Sequence, residues 1–179
     1  TSKHSPSSSW RGVVGTQMSN LGLELALKDR NIELARAKVG DRYVMAELLA
    51  RGWIYGGESS GHIICLDVTT TGDGIVSALQ VLAAMQGKGR SLAETRSGMT
   101  KFPQTMVNVR MNKRERLKGN AAIAQAEKAV VDKLRGRGRV LLRPSGTEPV
   151  VRVMVEGEDA VFVKTLANEL ADVVRAEVS

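Results

Sequence analysis

The chain has 179 residues, a formal net charge of +7, 42% hydrophobic and 25% charged residues, which fits one soluble globular domain or two small ones with a real core. No apolar run reaches the ~18 residues a membrane span needs, the opening TSKHSPSSSW lacks the apolar stretch of a secretory signal, and a single cysteine, Cys65, excludes an intrachain disulfide framework and fits a reducing cytoplasm. Two histidines, His4 and His62, are too few for a histidine-based zinc site; the positive charge points to an anionic partner, whether nucleic acid, an acidic surface or a phosphorylated metabolite, and the 3% of aromatic residues is scant for base stacking.

In chain order, residues 1–10 are serine-rich and without periodicity, which predicts a disordered or non-native tail. VVGTQMSNLGLELALKDR predicts a short strand from Val13, a turn, and an amphipathic helix started by Ser19 or Asn20. IELARA predicts a strand, and DRYVMAELLARG a helix from Asp41 to Gly52. WIYGG and HIICLD predict two strands joined by a polar turn. Cys65, inside the second, is expected to be a buried and inert thiol. TTTGDGIVSALQVLAAMQGKG predicts a turn and a helix capped by Asp73, and SLAE, Ser91–Glu94, has the form of a capping box. After SGMTKFP the texture changes: QTMVNVRM alternates like a half-buried strand, NKRERLKGN is a charged connector, and AAIAQAEKAVVDKLRG has helical spacing. A hairpin follows in GRVLLRPSGTEPVVRVMVEG, then a last amphipathic helix in EDAVFVKTLANELADVVRAEV. The chain is therefore expected to divide near Thr100, into an α/β unit over residues 11–99 and a smaller α+β unit over residues 100–179.

Two loops carry candidate chemistry. In RPSGTEP, Ser145 and Thr147 offer hydroxyl donors, Gly146 lets the backbone come close to a ligand, and Arg143 and Arg152 offer planar donors that match phosphate oxygens. Glu148 would repel an anion, so its expected role is to orient an arginine or to bond backbone N–H groups. Residue chemistry leaves an anion cradle and an ordinary polar hairpin loop both open. In GGESSGH, Glu58 can accept hydrogen bonds from vicinal sugar hydroxyls and Ser60 can donate or accept another; an ordinary polar hairpin with Glu58 in solvent is the competing reading.

Five segments in order, VVGTQMSNLGLELAL, AKVGDRYVMAELLARGW, GGESSGHIICLDVTTTGDGIVSALQVL, SGMTKFPQTMVNVR and RVLLRPSGTEPVVRVMVEG, resemble the α-D-phosphohexomutase family, in its branch that interconverts glucosamine 6-phosphate and glucosamine 1-phosphate. The likeness runs from about Arg11 to Val178. It implies an α/β third domain followed by an α+β, TATA-box-binding-protein-like fourth domain. It also implies that Arg143, Ser145, Gly146, Thr147 and Arg152 bind substrate phosphate, that Glu58 and Ser60 bind the sugar, and that His62 and Arg42 (in VGDRYV) are weaker candidates beside the reacting sugar. His62 as a structural histidine and Arg42 as an exposed arginine paired with nearby glutamates remain the alternatives.

The family's reaction transfers a phosphoryl group from a phosphoserine and takes it back from a bis-phosphorylated sugar, with magnesium on an aspartate-rich loop. TTTGDG holds only Asp73 where the metal loop D-G-D-x-D-R needs three carboxylates. TSKHSP matches the serine loop T-A-S-H-N-P at Thr1, His4 and Pro6, but Lys3 occupies the nucleophile position. The resemblance therefore implies no catalytic serine, metal site or cofactor in this chain. It expects magnesium for a complete enzyme that serves peptidoglycan precursor synthesis in the cytoplasm, with the preceding domains as partner, and little activity from this chain alone. Two other readings stand beside it: a basic nucleic-acid-binding module built on NKRERLK and on RGRGR at Arg135–Arg139, and an inactive truncation product with a sticky interdomain face.

Overall fold

The computed structural model describes residues 12–111, 117, 119–146 and 148–178. The predicted tail, most of the charged connector and Thr147 lie outside the described residues. The chain divides into two compact units, Thr1–Lys101 and Phe102–Ser179.

The first unit is built on a four-stranded mixed sheet in the order β2-β1-β3-β4. Strand β1 (Gly12–Thr16) lies parallel to β2 (Glu33–Ala37) and to β3 (Tyr55–Gly57), and β4 (Ile63–Cys65) closes an antiparallel hairpin with β3. Helix α1 (Leu21–Lys28) links β1 to β2, and α2 (Asp41–Arg51) links β2 to β3. Of the two caps left open by the sequence, Asn20 is the one used: its side chain accepts from the Gly22 N–H at 3.0 Å. Ser19 turns back instead, and its Oγ accepts the Thr16 N–H at 2.9 Å. Helix α2 lays Val44 and Leu48 on one sheet face, against Val14, Ala35, Ala37 and Ile64, with Trp53 closing the cluster. Burying such side chains contributes about 1.5–3 kcal/mol each.

Helix α3 (Gly74–Lys88) starts where Asp73 accepts from the Ile75 and Val76 N–H groups. Helix α4 (Leu92–Thr95) opens with the predicted capping box between Ser91 and Glu94, and a short 3-10 turn, Arg96–Gly98, follows. The hydroxyl and backbone bonds from Ser91 hold the Glu94 carboxyl below its ordinary range.

The second unit is a three-stranded antiparallel sheet, β5 (Gln104–Arg110), β7 (Val150–Gly157) and β6 (Gly138–Pro144) in spatial order, backed by α5 (Ala121–Leu134) and α6 (Ala160–Val178). Alternation in β7 sends Val151, Val153 and Val155 toward Leu166, Leu170 and Val174 of α6 in one core. The opposite parity of β7 carries Arg152, Met154 and Glu156. No described helix is long and apolar enough to cross a membrane.

Candidate functional site

The hairpin between β6 and β7 is pinned by its own backbone. The Ser145 N–H donates to the Val150 carbonyl at 2.8 Å, and the Val150 N–H donates to the Glu148 carbonyl at 2.8 Å. The register then places Arg143 directly opposite Arg152, and Asn108 of β5 on the other side of Arg152. Three cross-strand rows fill the face away from the helices. Arg139 pairs with Glu156 at its far end, Leu141, Met154 and Met106 line the middle, and Arg143, Arg152 and Asn108 stand at the loop end.

Two like charges facing each other across a ladder repel. One is partly offset: Arg152 Nη2 donates to Glu148 Oε2 at 3.1 Å, the orienting role expected of that glutamate. The other has no such counter-charge among the described residues. The Nε atoms of Arg143 and Arg152 are both buried without a hydrogen-bond partner among the described residues. A buried donor left unmade costs about 1–3 kcal/mol, so this row is a donor array lacking an acceptor. An anion with several oxygens would supply it.

Two expected contributors fall differently. Ser145 is 2% exposed, and its Oγ accepts the Glu148 N–H at 3.2 Å, so the hydroxyl shapes the loop wall. Gly146 has open space where a Cβ would stand, so no steric demand explains a glycine there. Thr147 lies outside the described residues. Asn108 was missed by sequence reasoning. Its only signal is that it shares strand parity with positions facing away from the core.

In the first unit the loop Glu58–His62 is closed by Glu58 N–H to the His62 carbonyl at 2.8 Å and Gly61 N–H to the Glu58 carbonyl at 3.1 Å. Gly61 sits at φ +101, a conformation that side chains rarely adopt. The loop holds Ser60 Oγ 3.3 Å from His62 Nδ1, both exposed. The Glu58 carboxylate has no ion pair or side-chain hydrogen bond among the described residues. Glu58 is among the residues lining a cavity of about 480 Å³, whose wall is mostly apolar, from Val13, Leu23, Ile63 and Met99 among others. Tyr55 also lines this cavity. Burial, then a hydrogen bond to Asp67 at 3.0 Å, pushes its phenol up to about 12.

Arg42 lies in the first turn of α2, over the Tyr43 ring at 4.5 Å with Nη2 donating to the Tyr43 hydroxyl at 2.6 Å. A pairing with nearby glutamates was the alternative reading, and the nearest in sequence, Glu47, is taken by Arg51 one turn on at 2.6 Å. No hydrogen bond or ion pair joins Arg42 to the Glu58–His62 loop among the described residues. Cys65 is buried, and burial pushes its thiol up, away from thiolate chemistry. In the RGRGR run, Arg135 ends α5 at φ +50, Arg137 pairs with Glu158 at 3.2 Å and Arg139 with the fully buried Glu156 at 2.9 Å. Arg137 and Arg139 are thus engaged locally.

Among the described residues no group of three or more His, Cys, Asp or Glu side chains could hold a metal ion. Asp73 spends its carboxylate on the cap of α3.

Comparison with known proteins agrees with this geometry at the level of the fold. Residues 2–102 match the family model described as phosphoglucomutase/phosphomannomutase, alpha/beta/alpha domain III, and residues 106–173 match its C-terminal domain. The chain is 62% identical over 168 residues to a phosphoglucosamine mutase of Cellvibrio japonicus, covering 94% of this chain and 38% of the relative. It is 61% identical to one of Thioalkalivibrio sulfidiphilus, covering 92% and 37%. An Aspergillus fumigatus N-acetylphosphoglucosamine mutase, solved in complex with GlcNAc-6P and magnesium, superposes with a TM-score of 0.81 at 20% identity, over 94% of this chain and 39% of that one. The chain thus spans less than two fifths of the length of the relatives it matches.

Proposed function

The chain belongs to the phosphoglucomutase/phosphomannomutase family, and on that premise we propose that it forms the substrate-holding part of a mutase that interconverts glucosamine 6-phosphate and glucosamine 1-phosphate. The observation that carries the proposal is the facing pair Arg143 and Arg152, whose buried Nε donors lack acceptors among the described residues. A phosphate dianion set at this row accepts from both guanidiniums, relieves their repulsion, and takes the amide of Asn108 as a further donor. Thr147, next to Gly146 in sequence and outside the described residues, stays a candidate phosphate ligand by its residue type.

In the first unit, Glu58 accepts from vicinal sugar hydroxyls and Ser60 completes that contact, with His62 and Arg42 as secondary candidates near the sugar. In this division of labour residues 11–99 form the sugar-binding third domain and residues 100–179 the phosphate-binding fourth domain. Arg143 and Arg152 hold the phosphate that does not react, and binding at that remote end orients the sugar for transfer at the other. Phosphoryl transfer itself also needs a nucleophile and neutralisation of charge. The described donor set does not fit magnesium, so no metal step is assigned to this chain. The nucleophile and the cation site belong, on this proposal, to the domains that precede domain III in the relatives.

Titration with glucosamine 6-phosphate, followed by amide NMR, tests the reading. Shifts concentrated at 143–152 and 56–62 are expected. Saturation that moves neither loop would overturn it.

A further inference from the structure

Strand β5 brings a further cation to the hairpin loop. Val109 and Met111 both lie in the core of the second unit, so Arg110 between them projects from the opposite face. That face also carries Asn108, Arg143 and Arg152. The Met111 N–H donates to the Pro149 carbonyl at 2.8 Å, which ties this end of β5 to the loop itself. Register sets Arg110 opposite Val150 and diagonal to Arg152, a separation of about 7–8 Å that long side chains span. Arg110 is exposed and has no ion pair or hydrogen bond among the described residues.

The charge balance at the loop gives that cation a use. Arg143 and Arg152 face each other, and Glu148 bonds Arg152, so these three groups leave a single net positive charge. A phosphate monoester near neutral pH carries close to two negative charges. The other charged groups of β6 and β7 on this face, Arg139 and Glu156, pair with each other at the far end. Helix α6 packs on the opposite face of β5, against Val109. We infer that Arg110 is a third cation of the phosphate site, and that it makes the site prefer doubly charged phosphate monoesters to singly charged anions of the same shape. The inference rests on the functional reading above and adds the charge state of the group that the hairpin accepts. Coulomb energy scales with the product of the charges, so a cation added here gains about twice as much with a dianion as with a monoanion. The neutral amide of Asn108 discriminates far less.

The test uses two probes of one shape, glucosamine 6-phosphate and glucosamine 6-sulfate. Both are titrated calorimetrically near neutral pH into wild type, Arg110→Gln and Arg110→Lys. Arg110→Gln is expected to weaken the phosphate about tenfold, as for one charge-assisted hydrogen bond, and the sulfate only about threefold, since half the charge halves the lost free energy. Arg110→Lys keeps the charge and should keep most of the preference. Arg90→Gln, at an exposed cation of the first unit, should change neither affinity. Equal losses for the two probes, or no loss in Arg110→Gln, overturn the inference. So does Arg110→Lys as weak as Arg110→Gln, or an equal effect of Arg90→Gln, which would reduce Arg110 to a share of the net charge. Inorganic phosphate separates this inference from the functional reading. If it binds with a tenfold dependence on Arg110 while glucosamine 6-phosphate does not saturate, the functional reading alone falls. If glucosamine 6-phosphate saturates and Arg110→Gln is indifferent, only the third cation falls. No saturation by any of the three ligands overturns both.

Discussion

Arg143 and Arg152 stand opposite each other with their Nε donors unmet among the described residues, an arrangement that works against folding and, on the proposed function, is relieved by an anion. Removing one charge while keeping the stem should therefore cost no stability without anion. Arg143→Met, melted in phosphate-free buffer at low salt, is expected to match or exceed wild type, and a fall of several degrees would mean the guanidinium is a structural group. For Glu148 the sequence left two roles open, orienting an arginine or bonding backbone N–H groups, and the bond from Arg152 at 3.1 Å selects the first. Ser145 could not: its hydroxyl was legible as a donor, but only the loop's closure shows that it accepts the Glu148 N–H inside the wall. Tyr55 escaped notice as well, since its Asp67 partner is set by the register of the β3–β4 hairpin. Its phenol is raised from about 10 to about 12, so its contribution is complete below pH 10 and is lost as pH rises toward 12. Stability of wild type should fall across that window, and Tyr55→Phe should flatten this alkaline arm. An unchanged profile would remove the assignment.

At the scale of elements, caps and periodicity were strong enough to fix most of the fold. Asp73, the Ser91–Glu94 box and the alternation of β5 each act locally, and the structure uses each of them. Close approaches between segments distant in sequence were not legible. Gly22, at the start of α1, is one: a Cβ there would stand 1.9 Å from the Thr100 carbonyl oxygen. Gly22→Ala must push the two segments apart and should destabilise the chain by about 1–3 kcal/mol, read as a lower urea midpoint. An unchanged midpoint would show that the 99–101 segment is not held against α1. Helix α3 was legible as a helix, but the exposure of Ile75, Leu79 and Leu82 along it was not, because pattern alone cannot tell a covered apolar face from an open one.

For the whole molecule, two cores on two sheets carry two loops of different chemistry, one built around a carboxylate and one around paired guanidiniums. The resemblance carried by five ordered segments gave family and fold together, whereas single loops left their chemistry open between binding and plain hairpins. If the two loops grip different parts of one ligand, their variants must separate. Glu58→Gln should weaken glucosamine 6-phosphate binding and leave inorganic phosphate binding unchanged. Equal weakening of both ligands would show that Glu58 acts through the fold.

The most direct measurement is calorimetric titration of glucosamine 6-phosphate into wild type and Arg143→Ala. Loss of charge-assisted hydrogen bonds of about 1.5–3 kcal/mol predicts a saturable wild-type isotherm and an affinity about 10–100-fold weaker in the variant. Equal affinities in the two proteins would contradict the assignment of substrate phosphate to this hairpin.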